Sequence, residues 1–153
     1  MAPNPGDQQF SIEDANRMLP LVRAIVADIV QLASDIEDRQ DRLNVVSDRQ
    51  SERDDLYAEE LQQMQHEIDQ DEDRLDDFIQ ELVDLGVELQ DAIVGEVDFR
   101  TRVDGREVLL CWKLGEAEVS HWHTEDAGFA GRQSLLQGVG SSGDFPSPDV
   151  TET

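Results

Sequence analysis

The sequence predicts a mostly α-helical chain, a long antiparallel helical hairpin followed by a short three-stranded antiparallel β-meander. Three observations carry that expectation. Apolar residues recur at 12, 15, 19, 22, 26, 29, 33 and 36, and again at 57, 61, 64, 68, 75, 78, 82 and 85. Those spacings alternate three and four, the seam of a heptad. Between the seam positions acidic residues crowd: residues 35–91 hold 21 Asp or Glu against 5 Arg, which is −16 of the formal −24. After Asp91 the pattern turns to strand-like alternation.

Each element follows from its own residues. Residues 1–9, with Pro3, Pro5 and Gly6, read as a flexible arm, and a single domain then runs over 10–137. Ser11 is placed to cap the first helix, with acidic residues in its first turn and Phe10 at the staple position. Pro20 removes one backbone donor and predicts a local kink. The first helix spans about 11–46. A turn at 44–48 follows, and Ser47 with Gln50 fits a second capping box. The second helix spans about 48–90, with Gly86 marking its end or a fray. Its seam is interrupted once, by Asp71, which reads either as a paired, register-setting residue or as a ligand facing inward. A single hairpin buries one seam per helix, so two copies dimerising into a four-helix bundle would bury more.

The strands are expected at about 97–103, 106–112 and 117–123. Asp104-Gly105 is a strong two-residue hairpin signal. A second two-residue turn at 115–116 pairs Lys113 with Glu118, as the first pairs Arg102 with Glu107. That register places Val97, Phe99, Val108, Leu110, Trp112, Val119, His121 and His123 on the apolar face. Trp122 then falls on the opposite face from Trp112, leaving one tryptophan exposed or at an interface. From Gly138 to residue 153 the composition is that of a disordered tail.

Composition narrows function by exclusion. Of 153 residues, 36 are acidic and 12 basic, and 38 % are hydrophobic. That length fits one domain, with a thin core. Direct nucleic-acid binding is disfavoured, since it rests on Lys and Arg displacing counterions. Anionic membrane surfaces are disfavoured likewise. No apolar run approaches a membrane span and no signal peptide is visible. With Cys111 alone there is no intrachain disulfide, and a cytoplasmic location is expected.

Residues 97–132 hold 7 acidic and 5 basic residues, a near-neutral surface where chemistry could sit. His121-Trp122-His123 puts two imidazoles on one side of a strand. With Glu125 or Asp126 they could hold a divalent metal ion; equally, they are two hydrogen-bonded histidines. Gly128 to Arg132 suggests a glycine turn with free N–H groups beside an arginine fork, suited to a carboxylate or phosphate; equally, Arg132 neutralises Asp126 or Glu125. Cys111 reads as a small buried filler.

Three segments carry a resemblance. They are Ala15-Asn16-Arg17-Met18-Leu19-Pro20 within 10–23, Gly105-Arg106-Glu107-Val108-Leu109-Leu110-Cys111-Trp112, and Trp122-His123 through Gly128-Phe129-Ala130-Gly131-Arg132. On these the chain resembles a small uncharacterised prokaryotic family, a domain of unknown function. The resemblance implies a helical hairpin followed by a short β-element, and no activity. It points to His123, Asp126 and Arg132, and it sets Asn16, Pro20 and Arg23 in a motif.

Two functions are then expected. One is a pocket for a metal ion or small anion where the 121–132 loop meets the start of the first helix, with His123, Asp126, Arg132, Arg23 and Asn16 around it. The other is a non-catalytic interaction protein, homodimeric or with a protein partner, acting through its acidic hairpin.

Overall fold

The computed structural model describes residues 10–53, 58–103 and 105–135. The expected arm at 1–9 and tail at 138–153 lie outside the described residues, as do Tyr57 and Asp104. Two helices, α1 (Ile12–Arg53) and α2 (Ala58–Leu85), precede five strands: β1 (Val87–Asp91), β2 (Glu96–Val103), β3 (Arg106–Lys113), β4 (His121–His123) and β5 (Gln133–Ser134). The strands form one antiparallel sheet in chain order. The sheet therefore has five strands where the sequence predicted three.

The helix start is as the sequence predicts. The Ser11 hydroxyl accepts from the Asp14 amide at 3.0 Å, and the Asp14 carboxylate accepts from the Ser11 amide at 3.2 Å. Those bonds hold the Asp14 carboxyl below its usual pKa. Phe10 is buried, and its ring meets Phe99 edge-on at 5.4 Å. Helix α1 runs on past the expected turn at 44–48, because Leu43 and Val46 are buried and extend the stripe. Ser47 and Gln50 lie inside it and not at the start of a helix.

Helix α2 stops at Leu85 instead of residue 90. Gly86 takes φ +85°, and its amide bonds the Val83 carbonyl at 2.9 Å, closing the helix. Val87–Asp91 then pairs with β2 as a strand. Seen in hindsight, Val87-Glu88-Leu89 already alternates.

Both heptad seams are buried or half-buried as predicted. Asp71 is 6 % exposed and ion-paired with Arg39 of α1 and, at 3.5 Å, with Arg74. It is the paired residue of the two readings. The proximal hairpin, from Ala15 to Val30 and from Leu75 to Leu85, joins the core with Val97, Phe99, Leu110, Trp112 and Trp122 of the sheet. Farther out, Leu32, Leu43, Val46 and Ile68 are buried outside that core, in the seam between the helices.

The register of the last strands departs from expectation by one residue. Strand β3 pairs Leu109 with His123, Leu110 with Trp122 and Cys111 with His121. Lys113 faces Glu96, not Glu118. A slip of one residue turns every side chain of a strand over. Trp122 thus joins Trp112 on the core face, both 0 % exposed, and His121 and His123 move to the outer face.

Helix α1 supplies the physical reason. Asn16 accepts from the Val119 amide at 2.7 Å and donates to the Val119 carbonyl at 3.4 Å. Arg23 donates to the Ala117 carbonyl at 2.9 Å while its guanidinium lies 5.8 Å from the Trp112 ring. The indole N–H of Trp112 donates to the Glu116 carbonyl at 3.0 Å. Backbone at 117–119 is therefore bonded to α1 and not to β3, and the connection between strands widens.

Candidate functional site

The outer face of the sheet holds the polar residues that alternate with its core. One row across the strands reads Glu88, Asp98, Cys111, His121. The next pairs Arg100 with Leu109 and Leu109 with His123. Residues 124–132 lead from β4 to β5 through a 3-10 turn at Phe129–Gly131, and Glu125, Gly128 and Phe129 of this return stand against that face. Between that return and the sheet lies an open pocket of about 470 Å³. It is lined by Glu88, Gln90, Glu96, Asp98, Arg100, Leu109, His123, Glu125, Gly128 and Phe129.

His123 and Asp98 belong to this pocket's wall yet are almost fully buried, at 4 % and 1 % exposure. The Nδ1 atom of His123 lies 2.8 Å from the Thr124 carbonyl, and Nε2 lies 3.1 Å from Oδ1 of Asp98. A carbonyl only accepts, so Nδ1 carries a hydrogen. A proton therefore sits between Nε2 and the carboxylate, whichever atom carries it. Burial works against the imidazolium, but the Asp98 and Thr124 hydrogen bonds and the Asp98 charge raise the His123 pKa above its ordinary 6.5.

Arg100 is spent within the protein. It pairs with Glu88 and, at 3.2 Å, with Glu107. Glu96 and Glu125 hold no hydrogen bond or ion pair among the described residues. Beside the pocket, Arg132 pairs with Glu116 and stacks over Phe129 at 4.4 Å. Burial resists ionisation of Glu116, but Arg132 and the Lys113 amide hold its carboxyl below the usual range. Burial pushes the Cys111 thiol up to about 12, so it is an inert filler.

The residues named from sequence divide accordingly. His123 and Glu125 reach the pocket. Asp126 is exposed and does not line it. His121 is half-buried opposite Cys111, its Nδ1 3.1 Å from the Ser120 hydroxyl. Asn16 and Arg23 bond the 117–119 backbone on the helical side of the sheet, away from His123. The expected pocket between the start of the first helix and the 121–132 loop is not assembled.

The two histidines do not present their donors to a common point: His121 Nδ1 lies by the Ser120 hydroxyl and His123 Nε2 by Asp98. Both His123 nitrogens face acceptors and offer no free lone pair. Among the described residues no three His, Cys, Asp or Glu side chains are grouped to hold a metal ion. In the glycine turn the amides of Gly128, Gly131 and Arg132 bond the carbonyls of Thr124, Gly128 and Phe129.

Sequence reasoning missed Asp98, Arg100, Glu88 and Phe129. The available signal was Leu109 and Cys111, two apolar residues on the face taken as solvated, which meant that something covers it.

Comparison with known proteins gives one match. The family model described as "Uncharacterized conserved protein (DUF2203)" matches residues 8–135. No curated protein and no solved structure matches the chain.

Proposed function

The chain belongs to that uncharacterised conserved family, which passes no activity to it, and we propose that it binds a small molecule in the pocket on the outer face of its sheet. The observation that carries this reading is the buried His123–Asp98 pair in the wall of an open pocket of about 470 Å³. That volume lies in the range of small-ligand sites, roughly 300–1,000 Å³. A buried ion pair adds little to stability over apolar packing, so its place beside an open pocket supports a use there. The pair can anchor a polar group or move a proton along the Nε2–Oδ1 axis.

Screening a diverse fragment panel by amide chemical shifts tests the reading. Hits should move the amides of Leu109, His123 and Gly128, and should be lost in Glu125→Trp, where a bulky exposed side chain plugs the mouth. No hits, or hits indifferent to that substitution, would overturn it.

One observation favours a second reading, an interaction protein acting through its acidic hairpin. Beyond Val30 and Leu75 the helices leave the main core, and Leu61 and Met64 are only half-buried in their seam. A second copy packing there into a four-helix bundle would cover them. Sedimentation equilibrium should then return twice the chain mass of 17.2 kDa. A single 17.2 kDa species at concentrations up to about 100 Kd of a micromolar dimer would refute it.

A further inference from the structure

We infer that the ligand of the outer-face pocket is a small organic cation, an alkylammonium or arylalkylammonium with an apolar stem. The inference rests on the pocket being a binding site and adds the chemical class of what it takes. The charges in its wall decide the class. Arg100 is neutralised by Glu88 and Glu107, and His123 by Asp98. What remains is Glu96 and Glu125. Glu96 stands opposite Lys113 in the register, yet no ion pair joins them among the described residues. Glu125 lies in the field of Arg100, which Glu88 and Glu107 already share, so the lining's four carboxylates outnumber its two cationic groups, and the half-buried position of Glu96 weakens its screening by water.

The apolar lining fixes the rest. Buried Leu109 and half-buried Phe129 both line the pocket. An aromatic face attracts a cation, as Arg132 over this ring already illustrates. An anion would have to draw Arg100 away from two glutamates, or approach Glu96 and Glu125 directly. An ammonium group beside those carboxylates, with its stem on Leu109 and Phe129, complements the acidic and apolar parts of the lining.

Three isosteres test it on the full chain: benzylammonium, benzyl alcohol and benzoate, each titrated against amide shifts at Leu109, His123 and Gly128. Benzylammonium should bind, and the other two should bind at least tenfold more weakly. Its affinity should fall about threefold in Glu125→Gln and about tenfold with Glu96→Gln added. Glu125 is exposed, so its variant keeps the fold even where Glu96→Gln does not. Equal binding of the alcohol, or preference for benzoate, would overturn the cation while leaving the pocket as a site. Binding of benzylammonium unchanged by Glu125→Gln would also overturn it. If none of the three moves the pocket amides while fragment hits do, the ligand class falls alone; if neither does, both readings fall.

Discussion

Asp98→Ala should destabilise the protein by about 3–5 kcal/mol near pH 6, the cost of leaving one member of a buried ion pair alone. His123 is 4 % exposed and Asp98 1 %, so the native imidazole has almost no contact with water to stand in for the lost carboxylate. The sign of the pH dependence should reverse as well. In the native protein the His123 pKa is raised above its unfolded value near 6.5. Its contribution to stability is therefore fully present below about 6.5 and lost as pH rises through the raised folded value. Once Asp98 is gone, burial, the largest of these effects, and the charge of Arg132 oppose the imidazolium, and only the Thr124 hydrogen bond still favours it. The folded pKa then drops below 6.5, and stability should be lost as pH falls through that region. Asp98→Asn keeps a carbonyl to accept from Nε2 and should cost less, while still lowering the His123 pKa. Urea unfolding at several pH values, with a histidine titration by NMR, checks both. A variant whose stability retains the native pH slope would show that the proton is not held by this pair.

Gly95→Ala should cost about 2–5 kcal/mol, the sum of two separable terms. Gly95 adopts φ +82° in the turn from β1 to β2, where its amide bonds the Asp91 carbonyl and its own carbonyl accepts from Leu114. An L side chain at that φ is strained by about 1–2 kcal/mol. The added methyl would also stand 2.9 Å from Leu114 Cβ and 2.9 Å from Val26 Cγ1. Overpacking of that kind costs roughly 1–3 kcal/mol. Gly105→Ala is the internal control: φ is +81° and nothing lies within 4 Å of the new methyl. It should carry the conformational term alone. Urea midpoints at unchanged m-values measure the two, and equal losses would show that Gly95 does not seat the sheet on α1.

The hairpin was legible because its signal is local. Seam residues three and four apart meet on one helix face whatever else the chain does, and the burial of Val22, Val26, Ile29, Ile68 and Leu82 follows that period. Residues with two outlets were not legible. Ser47 and Gln50 have the letters of a capping box, yet buried Leu43 and Val46 keep the helix going past them. Glu118 opposite Lys113 looked like a cross-strand pair, but an unpaired loop serves a charged pair no worse than a strand does. The hairpin at Gly105, with Arg102 facing Glu107, did come out as expected, because a two-residue turn leaves a single register.

By itself the sequence determined the two helical seams, the cap at Ser11, the β2–β3 register and the division of charge that leaves residues 97–132 nearly neutral. It also singled out His123 and Glu125. Only the tertiary structure decided which way His123 points. That choice hangs on Asn16 and Arg23, more than ninety positions upstream of the backbone they hold. By bonding Ala117 and Val119 they widen one turn by a residue, and strand periodicity of two converts that single step into an exchange of faces. Trp122 enters the core, His123 meets Asp98, and the motif around Asn16, expected to touch a ligand, instead aligns the strand that carries His123.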